Sequence, residues 1–311
     1  MDSFHPLNGT TPNILCNHAR YNKKVMNALM PNDTLYITIL RDPVTQFEST
    51  FSYMTLDKIL GMDNSSDPLE KFFVDPQSVL VNYVLTQDLR INSDRLKLIR
   101  NGMFYDLGLE SRDFDNKNKI REAIEQLDSE FDFVMMKEYF DESLVLLRRL
   151  TCLDLDELVY FNLNERRSDF KRNVTSKLKS KIRQWSYADV QLYNHFNRTF
   201  WKVLKSMGPD FWEEVKLLRY KNKIMSSLCL RRGEYTKSNT DAADIKLLKL
   251  RRDVPPIAST MCERMTRDEV KYLKELRDFQ DERLARRRGG SAWSFLSPIS
   301  WFKTRLGSRH R

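Results

Sequence analysis

Residues 34–55, TLYITILRDPVTQFESTFSYMT, constrain the fold more than any other part of this chain. Residues 34–40 are short, apolar and β-branched, which suits a buried strand of a mostly parallel sheet rather than a half-exposed hairpin strand. Arg41 ends that strand, Asp42 is a good N-cap, and Pro43 suits the first position of a helix. Val44, Phe47, Phe51 and Met54 recur at three- and four-residue steps and predict a core stripe, while Thr45, Ser49 and Ser52 predict a second stripe that carries hydroxyls. A strand turning directly into a helix leaves unpaired N–H groups beside Arg41. The corner is therefore expected to attract anions, with Arg41 and Ser49 gripping one anion together.

The rest of the first 165 residues repeats this grammar. Residues 13–18 read as a short strand and 19–30 as a helix, which places His18 at a strand end. Residues 61–76, GMDNSSDPLEKFFVDP, read as a surface excursion and 77–99 as a helix. Residues 104–108 read as a turn or short strand, 112–119 as a polar loop, 119–131 as a helix, 133–136 as a buried strand, and 140–150 as a helix capped by Asp141. Strands alternating with helices predict a parallel sheet covered on both faces, with the ligand crevice at the carboxyl ends of the strands. Beyond residue 166 the chain turns helical, over 174–185, 187–206 and 209–228, with Trp185, Leu192, Phe196, Phe200, Trp201 and Trp212 as core anchors. Residues 231–256 are polar and charged, and 266–288 form an exposed helix. Residues 289–311 make a basic, aromatic tail that includes Trp293, Phe295, Trp301 and Phe302.

A net charge of +9 over 311 residues favours an anionic partner without choosing among nucleotide, sulfated product, nucleic acid and lipid surface. No nucleic-acid motif accompanies the charge, so no nucleic acid is expected. No window is apolar and long enough to span a bilayer, although sequons at Asn8, Asn32, Asn64, Asn173 and Asn197 would fit a lumenal protein. The cysteines form no Cys-x-x-Cys pair, and no metal is implied. Cys16 and Cys152 read as buried thiols, whereas Cys229 and Cys262 could pair in an oxidising compartment.

Strand, Arg-Asp-Pro and a serine eight residues after the arginine resemble the 3′-phosphate-binding segment of carbohydrate sulfotransferases that use 3′-phosphoadenosine 5′-phosphosulfate (PAPS). The motifs Asn17-His18-Ala19-Arg20, the 41–53 segment, Tyr105-Asp106-Leu107-Gly108, Glu138-Tyr139-Phe140-Asp141-Glu142-Ser143-Leu144 and Tyr160-Phe161-Asn162-Leu163-Asn164 look, in that order, like the galactose-3-O-sulfotransferase family. The resemblance runs from about residue 13 to about 229, and more thinly to about 276. It implies an α/β, P-loop-like sulfotransferase fold with a central parallel sheet and a helical C-terminal part. The implied domain covers residues 1–230, with a charged, helical extension over 231–288. The implied reaction is sulfuryl transfer from PAPS to the 3-hydroxyl of a terminal β-galactose on a glycolipid or glycoprotein glycan. The implied setting is the lumenal side of the Golgi membrane.

By the same resemblance Arg41 and Ser49 bind the nucleotide, and Arg166, Arg167 and Ser168 close over it. His18 is the base for the sugar hydroxyl, and Arg20, two residues on, orients the acceptor or balances the sulfate charge. The chain departs from the family pattern at its start: it shows neither the N-terminal membrane anchor nor the strand, Lys-Thr-Gly-type loop and helix that hold the 5′-phosphosulfate. The first βα unit is thus expected to be missing, and transfer by this chain alone to be negligible. The alternatives are a catalytically incomplete nucleotide- or glycan-binding remnant, and a basic protein of membrane surfaces or nucleic acids.

Overall fold

A computed structural model describes residues 12–16, 19–86, 96–163, 165, 174–237, 246–267 and 269–288. It divides into two compact units, Met1–Val254 and Pro255–Arg311. The first opens with helix α1 (Lys23–Leu29), strand β1 (Ile37–Leu40) and helix α2 (Pro43–Tyr53). The Asp42 carboxylate accepts hydrogen bonds from the Val44 and Thr45 N–H groups at 3.1 and 3.0 Å, and Pro43 stands in the first turn. This is the helix start that the sequence spells out.

β1 pairs in parallel with β2 (Phe133–Met136), Leu40 opposite Met136. These two strands are the entire parallel sheet among the described residues. The architecture is therefore mixed α/β, mostly helical, around a sheet much smaller than expected. β1 is also shorter than residues 34–40, because the Tyr36 N–H is taken by the Asp132 carboxylate at 2.7 Å instead of a ladder partner. Nor is β1 buried throughout: Leu40 is, but Ile37 is 37% and Ile39 44% exposed.

Between the strands lie α3 (Leu56–Ile59), α4 (Pro68–Phe72), α5 (Pro76–Thr86), α6 (Gly102–Asp106) and α7 (Lys117–Glu130). After β2 come α8 (Phe140–Thr151), α9 (Ser176–Trp185), α10 (Tyr187–Lys205) and α11 (Pro209–Cys229). An antiparallel hairpin, β3 (Leu230–Lys237) with β4 (Lys246–Leu250), ends the first unit.

Two hydrophobic clusters fill the interior. One joins Leu40 and Met136 of the sheet to Phe104, Ile120, Val145, Leu192, Phe196, Phe200 and Phe211. The other is built on α2, where Phe47 and Phe51 meet Phe72, Phe73, Leu69 and Ile182. Fully burying one such side chain contributes about 1.5–3 kcal/mol, so α2 is held chiefly by this aromatic cluster. The helices α8 and α11 are tied by ion pairs: Arg219 bonds Asp141 and Glu142 at 2.8 and 2.7 Å, and Arg149 bonds Asp210 and Glu214 at 2.6 and 2.8 Å.

Several expectations are corrected. Residues 13–16 form no strand, and Ile14 is 78% exposed. The first helix starts at Lys23 rather than residue 19, since the Asn22 side chain caps it by accepting from the Val25 N–H and the Tyr21 N–H is taken by the Asp106 carbonyl. Residues 61–76 are not a surface excursion: Met62, Leu69, Phe72 and Phe73 are buried, and the polar residues between them serve as caps, such as Asp67 on α4. Residues 104–108 lie largely within a helix, α6. Asp141 does not cap α8, whose N-cap is Tyr139; the Asp141 carboxylate accepts from the Tyr160 hydroxyl and from Arg219. Residues 231–256 contain a hairpin, although their polarity hides it. Trp212 is a half-exposed flank rather than a core anchor, and Cys16 and Cys152 are exposed thiols. Cys229 and Cys262 are both disulfide-bonded.

The second unit contributes α12 (Pro256–Met265), which buries Ala258 and Cys262, and α13 (Glu269–Arg288), which is exposed as expected. The tail 289–311 lies outside the described residues. No helix among the described residues is long and apolar enough to cross a membrane.

Candidate functional site

The carboxyl end of β1 delivers Arg41 to the first turn of α2. Its Nε donates to the Thr45 hydroxyl at 3.1 Å, which lays the guanidinium along the helix face that carries Thr45 and, one turn on, Ser49. A guanidinium and two hydroxyls thus lie along one face, a donor set matched to a phosphate. The backbone adds less than expected. Pro43 has no N–H, Val44 and Thr45 give theirs to the Asp42 carboxylate, and the Gln46 N–H goes to the Asp42 carbonyl at 2.8 Å. The helix start therefore offers an anion side chains rather than unpaired N–H groups.

Glu138, just past β2, closes the other side of this corner. It accepts from the Asp42 N–H at 2.8 Å and from the Tyr193 hydroxyl at 3.0 Å. Burial, and then the Glu138 charge, push the Tyr193 hydroxyl well above its ordinary pKa, so it stays protonated and donating. Glu138 links the two strand ends rigidly, a role that the sequence reading did not anticipate.

The adjoining side of α2, which shares Ser49 with that face, lines a cavity of about 200 Å³. Gln46, Ser49, Thr50 and Tyr53 line one wall; Asn101, Met103 and Asp106 line a second, and Asp189 from the first turn of α10 lies at the base. Asp189 and Asn101 form a reciprocal clamp. The Asp189 carboxylate accepts from the Phe104 and Met103 N–H groups at 2.8 and 3.3 Å, while the Asn101 Oδ1 accepts from the Asp189 N–H at 3.1 Å. Asn101 holds this position with a left-handed backbone, φ 51, a conformation that asparagine tolerates better than most residues. Burial pushes the Asp189 carboxyl up to about 7, against the lowering effect of those two N–H donors. Asp189 lies on the same stripe as Leu192, Phe196 and Phe200, and an acid on an apolar stripe was the available signal for this cavity.

Arg20 is committed to the chain at 105–110. Its Nε donates to the Tyr105 carbonyl at 2.8 Å, one terminal nitrogen to Glu110 at 2.8 Å, and the other to the Gly108 and Leu109 carbonyls at 3.0 and 3.1 Å. The guanidinium also stands 4.3 Å from the Tyr105 ring centre. Arg20 therefore anchors the segment that leaves α6, and α6 forms a wall of the cavity. His18, Arg166, Arg167 and Ser168 lie outside the described residues. No group of three or more His, Cys, Asp or Glu among the described residues is arranged to hold a metal ion.

These features define a mostly helical α/β protein with a strand-end arginine, a hydroxyl-bearing helix behind it and a polar cavity under that helix. The chain belongs to the galactose-3-O-sulfotransferase family, whose model matches residues 5–280. It is 32% identical over 282 residues to galactosylceramide sulfotransferase of Mus musculus, a match that covers 86% of this chain and 64% of that protein. It is 34% identical over 278 residues to galactose-3-O-sulfotransferase 2 of Sus scrofa, covering 85% of this chain and 67% of that one. Against galactose-3-O-sulfotransferase 3 of Bos taurus it is 36% identical over 224 residues, 70% of this chain and 50% of the other. The chain thus spans less than two thirds of the length of the galactosylceramide sulfotransferases that it matches. No solved structure matches it.

Proposed function

We propose that this chain carries the nucleotide grip and the acceptor site of a PAPS-dependent galactose 3-O-sulfotransferase. The observation that carries the reading is the Arg41–Thr45–Ser49 face at the end of a parallel strand, in a chain whose relatives bear that name. Arg41 and Ser49 hold the 3′-phosphate, with Thr45 fixing the guanidinium, and Arg166, Arg167 and Ser168 close over the nucleotide. PAPS supplies an activated sulfuryl group. His18 takes the proton from the galactose 3-hydroxyl as that oxygen attacks sulfur. Arg20 acts one step back, by positioning the 105–110 segment. The acceptor is a β-galactoside of a glycolipid or glycan. The setting is the lumenal side of the Golgi membrane, a reading that the disulfide-bonded Cys229 and Cys262 support because such bonds persist in oxidising compartments.

Hydrogen bonds to a charged group contribute about 1.5–3 kcal/mol each. Arg41→Ala is therefore expected to weaken binding of 3′,5′-adenosine bisphosphate by about tenfold to a hundredfold in calorimetry. Equal affinity of variant and parent would remove Arg41 from the site.

A further inference from the structure

The run Glu138-Tyr139-Phe140-Asp141-Glu142-Ser143-Leu144 has no part in the chemistry proposed above, yet it fastens the end of β2 to its surroundings. Ser143, fully buried, accepts from the Met136 N–H at 3.0 Å and donates to the Met136 carbonyl at 3.3 Å. The Tyr139 ring stacks on Phe200 with 5.8 Å between centres and meets Trp201 edge-on at 4.8 Å, both on α10. Glu138, between these two anchors, reaches across to the other strand.

The parallel ladder ends at Leu40 and Met136, so the next two N–H groups of the β1 chain need partners from elsewhere. The Arg41 N–H goes to the Met103 sulfur at 3.5 Å and the Asp42 N–H to Glu138 Oε1 at 2.8 Å. Glu138 Oε2 accepts from the Tyr193 hydroxyl of α10 at 3.0 Å. A hydroxyl of α10 and a carboxylate past β2 therefore hold the peptide that joins Arg41 to Asp42, while Thr45 holds the other end of the same arginine through its Nε. A planar guanidinium grips a phosphate with two donors only when its plane is aimed, and these bonds set the aim. Glu138 is at the same time an anion beside a site read as taking an anion, so its charge opposes the ligand. What it contributes there is two acceptor oxygens.

We infer that Glu138 and Tyr193 are positioning residues for the nucleotide: without touching it, they aim Arg41 at the 3′-phosphate by fixing the backbone on which Arg41 stands. The inference rests on the proposed reading of Arg41 as the phosphate grip, and it assigns the work of Glu138 to its hydrogen bonds, against the sign of its charge.

The test is calorimetry of the full chain with 3′,5′-adenosine bisphosphate. Glu138→Ala removes both bonds and should weaken binding by about tenfold or more, and Tyr193→Phe, which removes one hydroxyl and keeps the ring, by about threefold to tenfold. Glu138→Gln keeps an acceptor for the Asp42 N–H and a partner for the Tyr193 hydroxyl but drops the charge, so its affinity should equal or exceed that of the parent. In an Arg41→Ala background the losses should shrink to within about twofold, because residues that act through one another do not add. Tyr193→Phe keeps the test decisive should Glu138→Ala unfold. Parental affinity in folded Tyr193→Phe overturns the inference. Undiminished losses in the Arg41→Ala background, which would mark a general effect on the fold, overturn it too, as does tighter binding by both Glu138 variants, which would leave Glu138 only its charge. Those three results need a parent that binds and an Arg41→Ala that weakens it, so they leave the nucleotide reading standing. A parent that does not bind the nucleotide, or an Arg41→Ala of equal affinity, sinks that reading and the inference with it.

Discussion

The two sides of α2 are one residue apart in sequence and opposite in character. Thr45, Ser49 and the Arg41 guanidinium make a donor-rich face, whereas Gln46 and Thr50, rotated about 100° from them, look onto Asn101, Asp106 and Asp189. A single eleven-residue helix thus carries an arginine-and-hydroxyl face and, sharing Ser49 with it, one wall of a cavity. Local sequence builds the first side, since Arg41, Asp42 and Pro43 are neighbours. Tertiary structure builds the second, by bringing residues 101 and 189 together.

The largest effect should come from removing what both sides share. Phe51 is 1% exposed and packs against Phe47 and Phe72. Phe51→Ala is expected to cost about 3–5 kcal/mol and to lower the affinity for 3′,5′-adenosine bisphosphate with it. Unchanged affinity in a destabilised variant would mean that the Arg41 face does not depend on this scaffold.

A second change separates the sides by pH. The Asp189 carboxyl is raised from 3.8 to about 7 in the fold. Between those values the folded chain keeps a proton that the unfolded chain has released, so rising pH favours unfolding. This group's contribution to stability should fall from about pH 4 to about pH 7 and be level above. In urea denaturation, Asp189→Asn should flatten that decline and leave the nucleotide corner untouched. An unchanged slope would show that Asp189 does not titrate in this window.

The smallest effect is on the other side. Asp42→Ala removes the cap and should cost about 1 kcal/mol of stability. It also frees the Val44 and Thr45 N–H groups beside Arg41, so affinity for 3′,5′-adenosine bisphosphate should hold or rise. A tenfold loss would mean that Asp42 positions Arg41 directly.

The legibility of the sequence follows the same division. The strand, corner and helix at 37–53 are readable because capping and proline placement are local rules, and the helices after residue 174 are readable from their aromatic spacing. The hairpin at 230–250 is not, because LRRGEYTK carries no alternation of apolar and polar residues. The 61–76 segment misleads for the reverse reason: its Asp and Pro residues signal turns, yet Asp67 and Pro68 cap and start a short helix, and the segment buries Met62, Leu69, Phe72 and Phe73. The cavity was legible only as an acid out of place on the stripe of α10. Its partner, Asn101, lies 88 residues earlier in the chain.

The partly uncovered strand β1 has a practical consequence. Leu35, Ile37 and Ile39 are 44%, 37% and 44% exposed, and they alternate along one flank of a two-stranded sheet. Exposed apolar strands in short sheets template the addition of further strands from other molecules. Polar replacements at Ile37 and Ile39 are therefore expected to raise the concentration at which a preparation of this chain precipitates. Shielding that flank is the natural route to a well-behaved sample.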